Sequence, residues 1–276
     1  MKPQAPPMPD ADAGAGDSPV TPDLWRAWRT ATPARLALGR AGTGMPTDET
    51  LRFGWAHAMA RDAIHAGLDT AALAAELAQD GWATLTVRSQ APDRGTYLRR
   101  PDLGRQLDPQ DAERLRREGP PACDLCLVVG DGLSSLAASR HAPGLLNALR
   151  THLPPDLSLA PVVIATQARV ALADEVGEAC GARIVAMLIG ERPGLSSPDS
   201  LGVYLTLAPR RGRHDAERNC ISNIRPAGLG YDAAAFKLAW LLREALRRGV
   251  TGVALKDESD LAVLEGNAQG PPRLDG

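Results

Sequence analysis

The chain has 276 residues, 44% of them hydrophobic, and its 31 basic residues nearly balance its 33 acidic ones. This length allows one large or two modest domains with real cores, and a net charge of -2 provides no overall field for nucleic acid or an anionic membrane. No apolar run approaches the roughly 20 residues that cross a bilayer, and no signal-peptide core follows Met1-Lys2-Pro3-Gln4. We therefore expect a cytoplasmic protein that binds neither nucleic acid nor a membrane.

The first half of the chain is predicted to be mostly helical. Residues 1–20, rich in Pro, Ala, Gly and Asp, predict a disordered tail, and residues 21–122 a helical N-terminal domain. Its longest helix, over residues 48–65, carries apolar residues at nearly i+4 spacing, which predicts one buried stripe. These residues are Leu51, Trp55, Met59 and Ala63.

From residue 123 to residue 258 short apolar runs alternate with amphipathic segments. Because these runs are apolar throughout and helices separate them, they predict an α/β domain with a mainly parallel sheet, covered on both faces. The predicted strands are residues 125–129, 161–165, 183–189, 203–207 and 250–255. The predicted helices are residues 133–149, 172–180 and 231–248. A loose C-terminal tail is predicted over residues 259–276.

The loops that follow predicted strands are the candidate binding site. Ligands of parallel sheets bind at the carboxyl ends of the strands, so these loops are expected to form one edge. The loop Gly130-Asp131-Gly132-Leu133-Ser134-Ser135 is similar to a nucleotide-binding turn, but it has neither the G-x-G-x-x-G pattern nor the P-loop lysine. The other loops are residues 166–170, 190–195 and 209–226.

Glu191 follows the predicted strand 183–189 directly and lies between Gly190 and Gly194. The two glycines leave room for a ligand to approach the backbone. One interpretation is structural, with Glu191 paired to Arg192 or capping a helix. The other is functional, with the carboxylate accepting hydrogen bonds from amide or hydroxyl groups of a ligand.

The four cysteines do not predict catalysis. A nucleophilic Cys220 would need a histidine base, and nothing in the sequence positions His214 for that role. Cys123 and Cys126 have the spacing of a redox pair, but Cys126 falls inside a predicted strand, not at a helix N-terminus. We expect reduced, structural thiols.

An acidic cluster and the histidines do not predict a site either. Asp174, Glu175 and Glu178 lie on one helical turn and are interpreted as a solvated helix face. His57 and His65 are eight residues apart and have no acidic or cysteine ligands near them. We predict no protein-bound metal and no catalytic residue in this chain.

Seven motifs occur in order between about residues 35 and 258. They are Phe53-Gly54-Trp55-Ala56-His57-Ala58, Ser89-Gln90-Ala91-Pro92-Asp93, Tyr97-Leu98-Arg99-Arg100-Pro101-Asp102-Leu103-Gly104-Arg105, Asp131-Gly132-Leu133-Ser134, Arg169-Val170, Gly190-Glu191-Arg192-Pro193-Gly194-Leu195 and Cys220-Ile221-Ser222-Asn223-Ile224. Each motif alone is weak, but the ordered set is specific. Together they resemble the small subunit of ethanolamine ammonia-lyase.

The resemblance implies a heteromeric enzyme that uses adenosylcobalamin to convert ethanolamine to acetaldehyde and ammonia by a radical route. In the family, the large subunit is a (β/α)8 barrel that holds the substrate, and the small subunit closes over the cobalamin. The sheet domain would then be a Rossmann-like or flavodoxin-like cobalamin-binding domain. Family cofactor contacts carry over to Val170, Glu191 and Cys220.

The cofactor is expected in its base-on form, with dimethylbenzimidazole on cobalt. Proteins that replace this base carry D-x-H-x-x-G, and Asp62-Ala63-Ile64-His65-Ala66-Gly67 has a different spacing. Two alternatives stay open: a stand-alone cobalamin- or nucleotide-binding α/β protein, and a purely structural interface subunit. The family also occurs inside bacterial microcompartments, and the sequence leaves that location open.

Overall fold

The structure is a computed structural model that describes residues 18–118 and 122–260. The chain divides into two compact units, which we call unit 1 and unit 2. Unit 1 consists of Met1–Asp62 and Gly194–Ser197, and unit 2 of Ala63–Pro193 and Pro198–Gly276. The tail predicted over residues 1–20 lies outside the described residues except for its last three, and that over residues 259–276 except for its first two.

Unit 2 is built on a six-stranded sheet with the order β1-β3-β2-β4-β5-β6. The strands are β1 (Thr84–Arg88), β2 (Cys123–Gly130), β3 (Val162–Thr166), β4 (Ala182–Gly190), β5 (Leu201–Leu207) and β6 (Asn219–Ile224). β1 to β4 pair in parallel, whereas β5 is antiparallel to both β4 and β6. The sheet is therefore mixed, and the predicted mainly parallel sheet is wrong. The physical reason is that no helix lies between β4 and β5, so the chain returns directly alongside β4.

Seven α-helices lie in the described residues. They are α1 (Thr47–His65), α2 (Thr70–Gln79), α3 (Arg94–Arg99), α4 (Pro109–Glu118), α5 (Ser135–Arg150), α6 (Leu172–Ala179) and α7 (Tyr231–Arg248). The Asp69 side chain caps α2 by accepting from the N–H of Ala72 at 2.9 Å, and α7 ends at Gly249 in the left-handed conformation. None of these helices combines the length and the apolar character needed to span a bilayer.

Two hydrophobic cores lie on opposite faces of the sheet. Alternation along β2 sends Leu125 and Leu127 into the core under α2, α5 and α7, and sends Cys126 and Val128 into the core under α4 and α6. We call the second side the α6 face. On that face α6 packs against β2 and β4, while the outer side of β6 is left exposed.

Most predicted elements of unit 2 are confirmed, and the exceptions have physical causes. β1 and β6 are edge strands with few buried residues, so neither has the continuous apolar run of a central strand. The predicted strand over residues 250–255 is wrong. This segment contains the 3-10 helix Gly252–Ala254, which starts at Gly252 with a φ of 73°.

Unit 1 has almost no hydrophobic core of its own. Among its described residues, only Pro46, Glu49 and Ala60 are buried. Of the stripe predicted on α1, Ala63 is buried, whereas Leu51 is 68% exposed and Trp55 is 70% exposed. Most large apolar side chains of unit 1 are therefore on the surface.

Candidate functional site

The candidate site is the sheet edge at which the parallel strands end. β1, β2, β3 and β4 run in the same direction, so their carboxyl ends meet there. β6 ends at the same edge, because Gly190 pairs with Leu201 and Leu201 pairs with Ile224. The edge thus brings together the predicted loops after β2, β3 and β4 and the last part of the fourth predicted loop, residues 209–226. That loop begins at the opposite end of the sheet, because β5 is antiparallel to β4.

Two loops at this edge pack directly on each other through glycines. A Cβ on Gly190 would lie 1.9 Å from the carbonyl oxygen of Ser134, and a Cβ on Gly132 would lie 2.2 Å from that of Gly190. The N–H of Leu133 donates to the Gly190 carbonyl at 3.0 Å. Gly190 therefore allows close contact within the protein, and the N–H groups of Asp131 and Leu133 already donate to the carbonyls of Ala165 and Gly190.

Glu191 is half-buried beside β6. Its backbone N–H donates to the carbonyl of Ser200 at 2.9 Å, and the Ser200 hydroxyl donates to Oε2. The N–H of Asn223 also donates to Oε2, at 3.3 Å. No hydrogen bond from the described residues reaches Oε1, which lies against Gly202. Neither the pairing with Arg192 nor a helix cap is present in the described residues, and the side-chain hydrogen bonds of Glu191 within them all reach Oε2.

Cys220 lies on β6, so the segment Cys220-Ile221-Ser222-Asn223 is a strand and not the predicted loop. Cys220 pairs with Tyr204 of β5. Tyr204 is three residues from Leu201 at the sheet edge, which places this pair about 10 Å from the edge at ~3.3 Å per residue. The Sγ of Cys220 is 3.3 Å from the hydroxyl of Ser222, and both side chains are exposed. Burial raises the pKa of the neighbouring Tyr204, so its hydroxyl is protonated at neutral pH.

Val170 lies in the turn that leads into α6. It is half-buried and packs against the core of the α6 face. The preceding loop is held by Asp131, whose two carboxylate oxygens accept from the N–H groups of Gln167 and Ala168 at 2.8 Å each. Gln167 has a φ of 54°, an uncommon conformation for a residue other than glycine.

Tyr97 and two arginines complete the support of this loop. The buried Tyr97 hydroxyl donates to the carbonyl of Ala168 at 3.0 Å. The guanidinium groups of Arg94 and Arg169 lie 4.7 Å and 4.4 Å from the centre of its ring. Burial raises the pKa of Asp131, and the loop N–H groups and the Arg94 charge oppose that shift. Asp131 and Tyr97 belong to the sequence motifs, but nothing in the motifs pointed to this contact.

Glu191 is linked to β6 through the N–H of Asn223, and Val170 packs on the same face of the sheet as Tyr204. The exposed side of β6 and the neighbouring Tyr204 of β5 form a surface on that face. Tyr204, Cys220 and Ser222 form its floor, which we call the open shelf. Glu191 lies where this floor meets the sheet edge, and Val170 lies on the same face at the start of α6. β6 is the last strand of the sheet, and the outer side of its backbone is partly used at its end. There the N–H of Leu229 donates to the carbonyl of Asn223 at 2.8 Å, and the N–H of Arg225 donates to that of Leu229 at 3.1 Å.

The predicted solvated acidic face of α6 is wrong for Asp174. Its side chain is 2% exposed and accepts from both terminal nitrogens of Arg218, at 2.6 and 2.7 Å. Glu175 accepts from the N–H of Leu107, and Glu178 alone is exposed. Asp174 and Arg218 form a buried ion pair that joins α6 to the segment before β6.

The remaining cysteines have structural environments. Burial raises the pKa of Cys123 to about 11, and the pKa of Cys126 is also raised, by its contact with Cys180 and by burial. These thiols stay protonated at neutral pH and are poor nucleophiles. Within residues 18–118 and 122–260, no three His, Cys, Asp or Glu side chains form a group that could hold a metal ion.

Comparison with known proteins identifies the family. The family model of the ethanolamine ammonia-lyase light chain (EutC) matches residues 22–256. The small subunit from Azotobacter vinelandii is 55% identical over 258 residues, which cover 92% of this chain and 96% of the relative. The small subunit from Bradyrhizobium diazoefficiens is 58% identical over 233 residues, which cover 84% and 89%. The chain therefore belongs to the family of ethanolamine ammonia-lyase small subunits, components of an ammonia-lyase enzyme.

Proposed function

We propose that this chain is the small subunit of an adenosylcobalamin-dependent ethanolamine ammonia-lyase, which converts ethanolamine to acetaldehyde and ammonia by a radical mechanism. Its role is to bind the corrin through Val170, Glu191 and Cys220 and to associate with a catalytic large subunit. That partner is a barrel that holds the substrate, so this chain supplies no catalytic residue. The complex is cytoplasmic and, as in other family members, can be enclosed in a microcompartment.

The open shelf is the observation that carries the proposal. A corrin is a broad ring with amide groups around its rim, so it needs a wide surface with hydrogen-bond acceptors at the border. The shelf has the aromatic ring of Tyr204 in its floor and the half-buried Val170 on the same face. Oε1 of Glu191, which accepts no hydrogen bond from the described residues, supplies an acceptor for the amide N–H groups.

The residues of the shelf fit a binding role. When bound, adenosylcobalamin supplies the radical by homolysis of its cobalt–carbon bond. The task of this chain is to bind, to orient and to exclude water. Cys220 is an exposed contact whose Sγ lies 3.3 Å from the hydroxyl of Ser222. It therefore acts as a packing contact and not as a nucleophile or a cobalt ligand.

The base-on form of the cofactor has its own test. His65, the histidine closest to the base-replacing motif, lies at the end of α1 and not in a loop after a strand. We expect the dimethylbenzimidazole to stay on cobalt. EPR spectra of the bound Co(II) form can be compared with and without isotope-labelled histidine in this chain. A change in the nitrogen coupling at cobalt would contradict this expectation.

The surface of unit 1 supports association with a large partner. Eleven large apolar residues are exposed in the described part of the chain, and nine of them belong to unit 1. They are Leu24, Trp25, Trp28, Met45, Leu51, Phe53, Trp55, Met59 and Leu195. A concentration of exposed apolar side chains is typical of a protein interface. Four of the nine are aromatic and two are methionine, and both residue types are enriched in such interfaces.

Reconstitution of the enzyme tests the proposal. This chain and the large subunit from the same genome are produced together, adenosylcobalamin and ethanolamine are added, and acetaldehyde is measured. We expect activity only when both chains are present. Full activity of the large subunit alone, or failure of the two chains to associate, would overturn the proposal.

The alternative of a stand-alone cobalamin- or nucleotide-binding protein is weaker. The N–H groups of Asp131 and Leu133 in the Gly130 loop already donate to the carbonyls of Ala165 and Gly190, so they are not free to bind a nucleotide phosphate. A stand-alone protein would also gain nothing from the exposed apolar side chains of unit 1. Tight binding of cyanocobalamin or a nucleotide by the isolated chain, with no association with the large subunit, would favour this alternative.

The other alternative is a purely structural interface subunit. Such a subunit would associate with the partner, but substitutions at Glu191 or Val170 would leave cofactor binding unchanged.

A further inference from the structure

The loop that carries Val170 is fixed through its backbone. The N–H groups of Gln167 and Ala168 each donate at 2.8 Å to one oxygen of Asp131. The N–H of Arg169 donates at 2.8 Å to the carbonyl of Gly104. Three successive N–H groups are therefore bound before the chain reaches Val170.

The carbonyl side of the loop is bound as well, by a residue from a different helix. The hydroxyl of Tyr97, in α3, donates to the carbonyl of Ala168 at 3.0 Å. Tyr97 is fully buried, and the guanidinium of Arg169 lies over its ring. The position of the loop thus depends on β2 through Asp131 and on α3 through Tyr97.

Arg94 joins these two supports. Its Nη1 donates to Asp131 at 3.2 Å and to the carbonyl of Gly132 at 2.8 Å, and its Nε donates to the carbonyl of Ile64 at 2.7 Å. The Asp131 side chain is 1% exposed, so this ion pair is buried. Removing one partner of a buried pair leaves an uncompensated charge, which makes the arrangement sensitive to small changes.

We propose that Asp131 and Tyr97 are positioning residues that set the place of Val170 for its contact with the corrin. This inference rests on the proposed cofactor contact of Val170. The loop has a residue other than glycine in the left-handed region at Gln167, which is stable only where the surroundings hold it. This conformation is held by the two oxygens of Asp131, which accept from the loop N–H groups, and by the Tyr97 hydroxyl, which donates to the Ala168 carbonyl. Loss of either lets the loop relax and moves the side chain that touches the cofactor.

The test measures binding of cyanocobalamin by the assembled complex, as the change in its absorption spectrum during titration. Asp131→Asn keeps the size of the side chain but replaces one acceptor oxygen by a donor that faces an N–H group. We expect the Kd to rise about 10- to 100-fold. Tyr97→Phe removes a single hydroxyl, and we expect a rise of about 3- to 10-fold. The apparent KM for adenosylcobalamin should rise by the same factors while kcat changes little.

Asp124→Asn is the matched control. Asp124 lies near the start of β2, the strand that Asp131 directly follows, and it accepts from the backbone and hydroxyl of Ser158 and from Arg183. The variant loses hydrogen bonds of the same kind, so it should lower stability and leave the Kd for cyanocobalamin unchanged. Circular dichroism and co-purification with the large subunit verify that each variant is folded, and Tyr97→Phe tests the inference if Asp131→Asn does not fold.

The outcomes separate the two proposals. If the wild-type complex binds no cobalamin, the proposed function fails and this inference fails with it. If the wild type binds and both Asp131→Asn and Tyr97→Phe bind equally well, only the positioning role is overturned. It is also overturned if Asp124→Asn weakens binding as much as they do.

Discussion

Replacing Trp55 by alanine should weaken association with the large subunit strongly. A tryptophan offers up to about 250 Å² of surface, and Trp55 is 70% exposed, which leaves about 175 Å² to be buried. At about 25 cal/mol per Å², full burial would contribute about 4 kcal/mol. Ordering of the side chain at the interface reduces this by about 0.5–1.5 kcal/mol. We expect a loss of about 2–4 kcal/mol, or a Kd raised roughly 30- to 1000-fold.

The assay is biolayer interferometry with immobilised large subunit and the purified small subunit in solution. Thermal unfolding of the isolated Trp55→Ala chain should match the wild type, because the side chain makes few contacts in the free chain. The control is Val253→Ala. Val253 is 82% exposed in unit 2, so removing its side chain should not change the Kd. The reasoning is refuted if Trp55→Ala binds as tightly as the wild type, or if the control weakens binding equally.

Three further predictions concern the site and the stability of the chain. Glu191→Gln should raise the Kd for cyanocobalamin about 10-fold through the loss of a charged acceptor, and an unchanged titration would remove Glu191 from the site. Asp174→Ala should lower the free energy of unfolding by about 3–5 kcal/mol in urea, because it leaves Arg218 buried without its partner; a loss under about 1 kcal/mol would contradict this. Hydrogen bonds from Arg247 and Arg248 hold the pKa of Glu244 at about 2, below its usual 4.5, so its stabilising contribution is present above pH 4.5 and is lost as the pH falls towards 2. In Glu244→Gln the melting temperature should therefore depend less on pH in that window. If it depends on pH as strongly as in the wild type, the hydrogen bonds between Glu244 and the two arginines are not the cause.

The central part of the fold could be predicted from the sequence, and the edges could not. Continuous apolar runs marked β2, β3 and β4 because these strands are buried on both faces. The same criterion missed β1 and β6, whose outer sides face away from the core. The antiparallel direction of β5 depends on the connection before it, where no helix lies between β4 and β5, and the apolar run itself does not reveal it.

The site was only partly predictable for a related reason. Glu191 and Val170 follow strands directly, so their place at the edge follows from the chain order. The partners Asp131 and Tyr97 lie far apart in sequence, and a hydrogen bond from a side chain to a distant backbone leaves no spacing pattern. The stripe on α1 was predicted as an apolar helix face from its periodicity. Periodicity does not tell whether such a face is covered by the protein's own core or left for a partner. Trp55 has the spacing of a core residue and the exposure of an interface residue.

The contact between the Gly132 loop and Gly190 has a thermodynamic consequence for any ligand at this edge. A Cβ at either glycine would overlap a backbone oxygen, so the two segments fit in one arrangement and have little freedom to lose. The backbone of Glu191 follows directly from this contact, so its direction is set before a ligand arrives. Binding there should therefore involve a small loss of conformational entropy, and the association rate should not be limited by rearrangement of the edge.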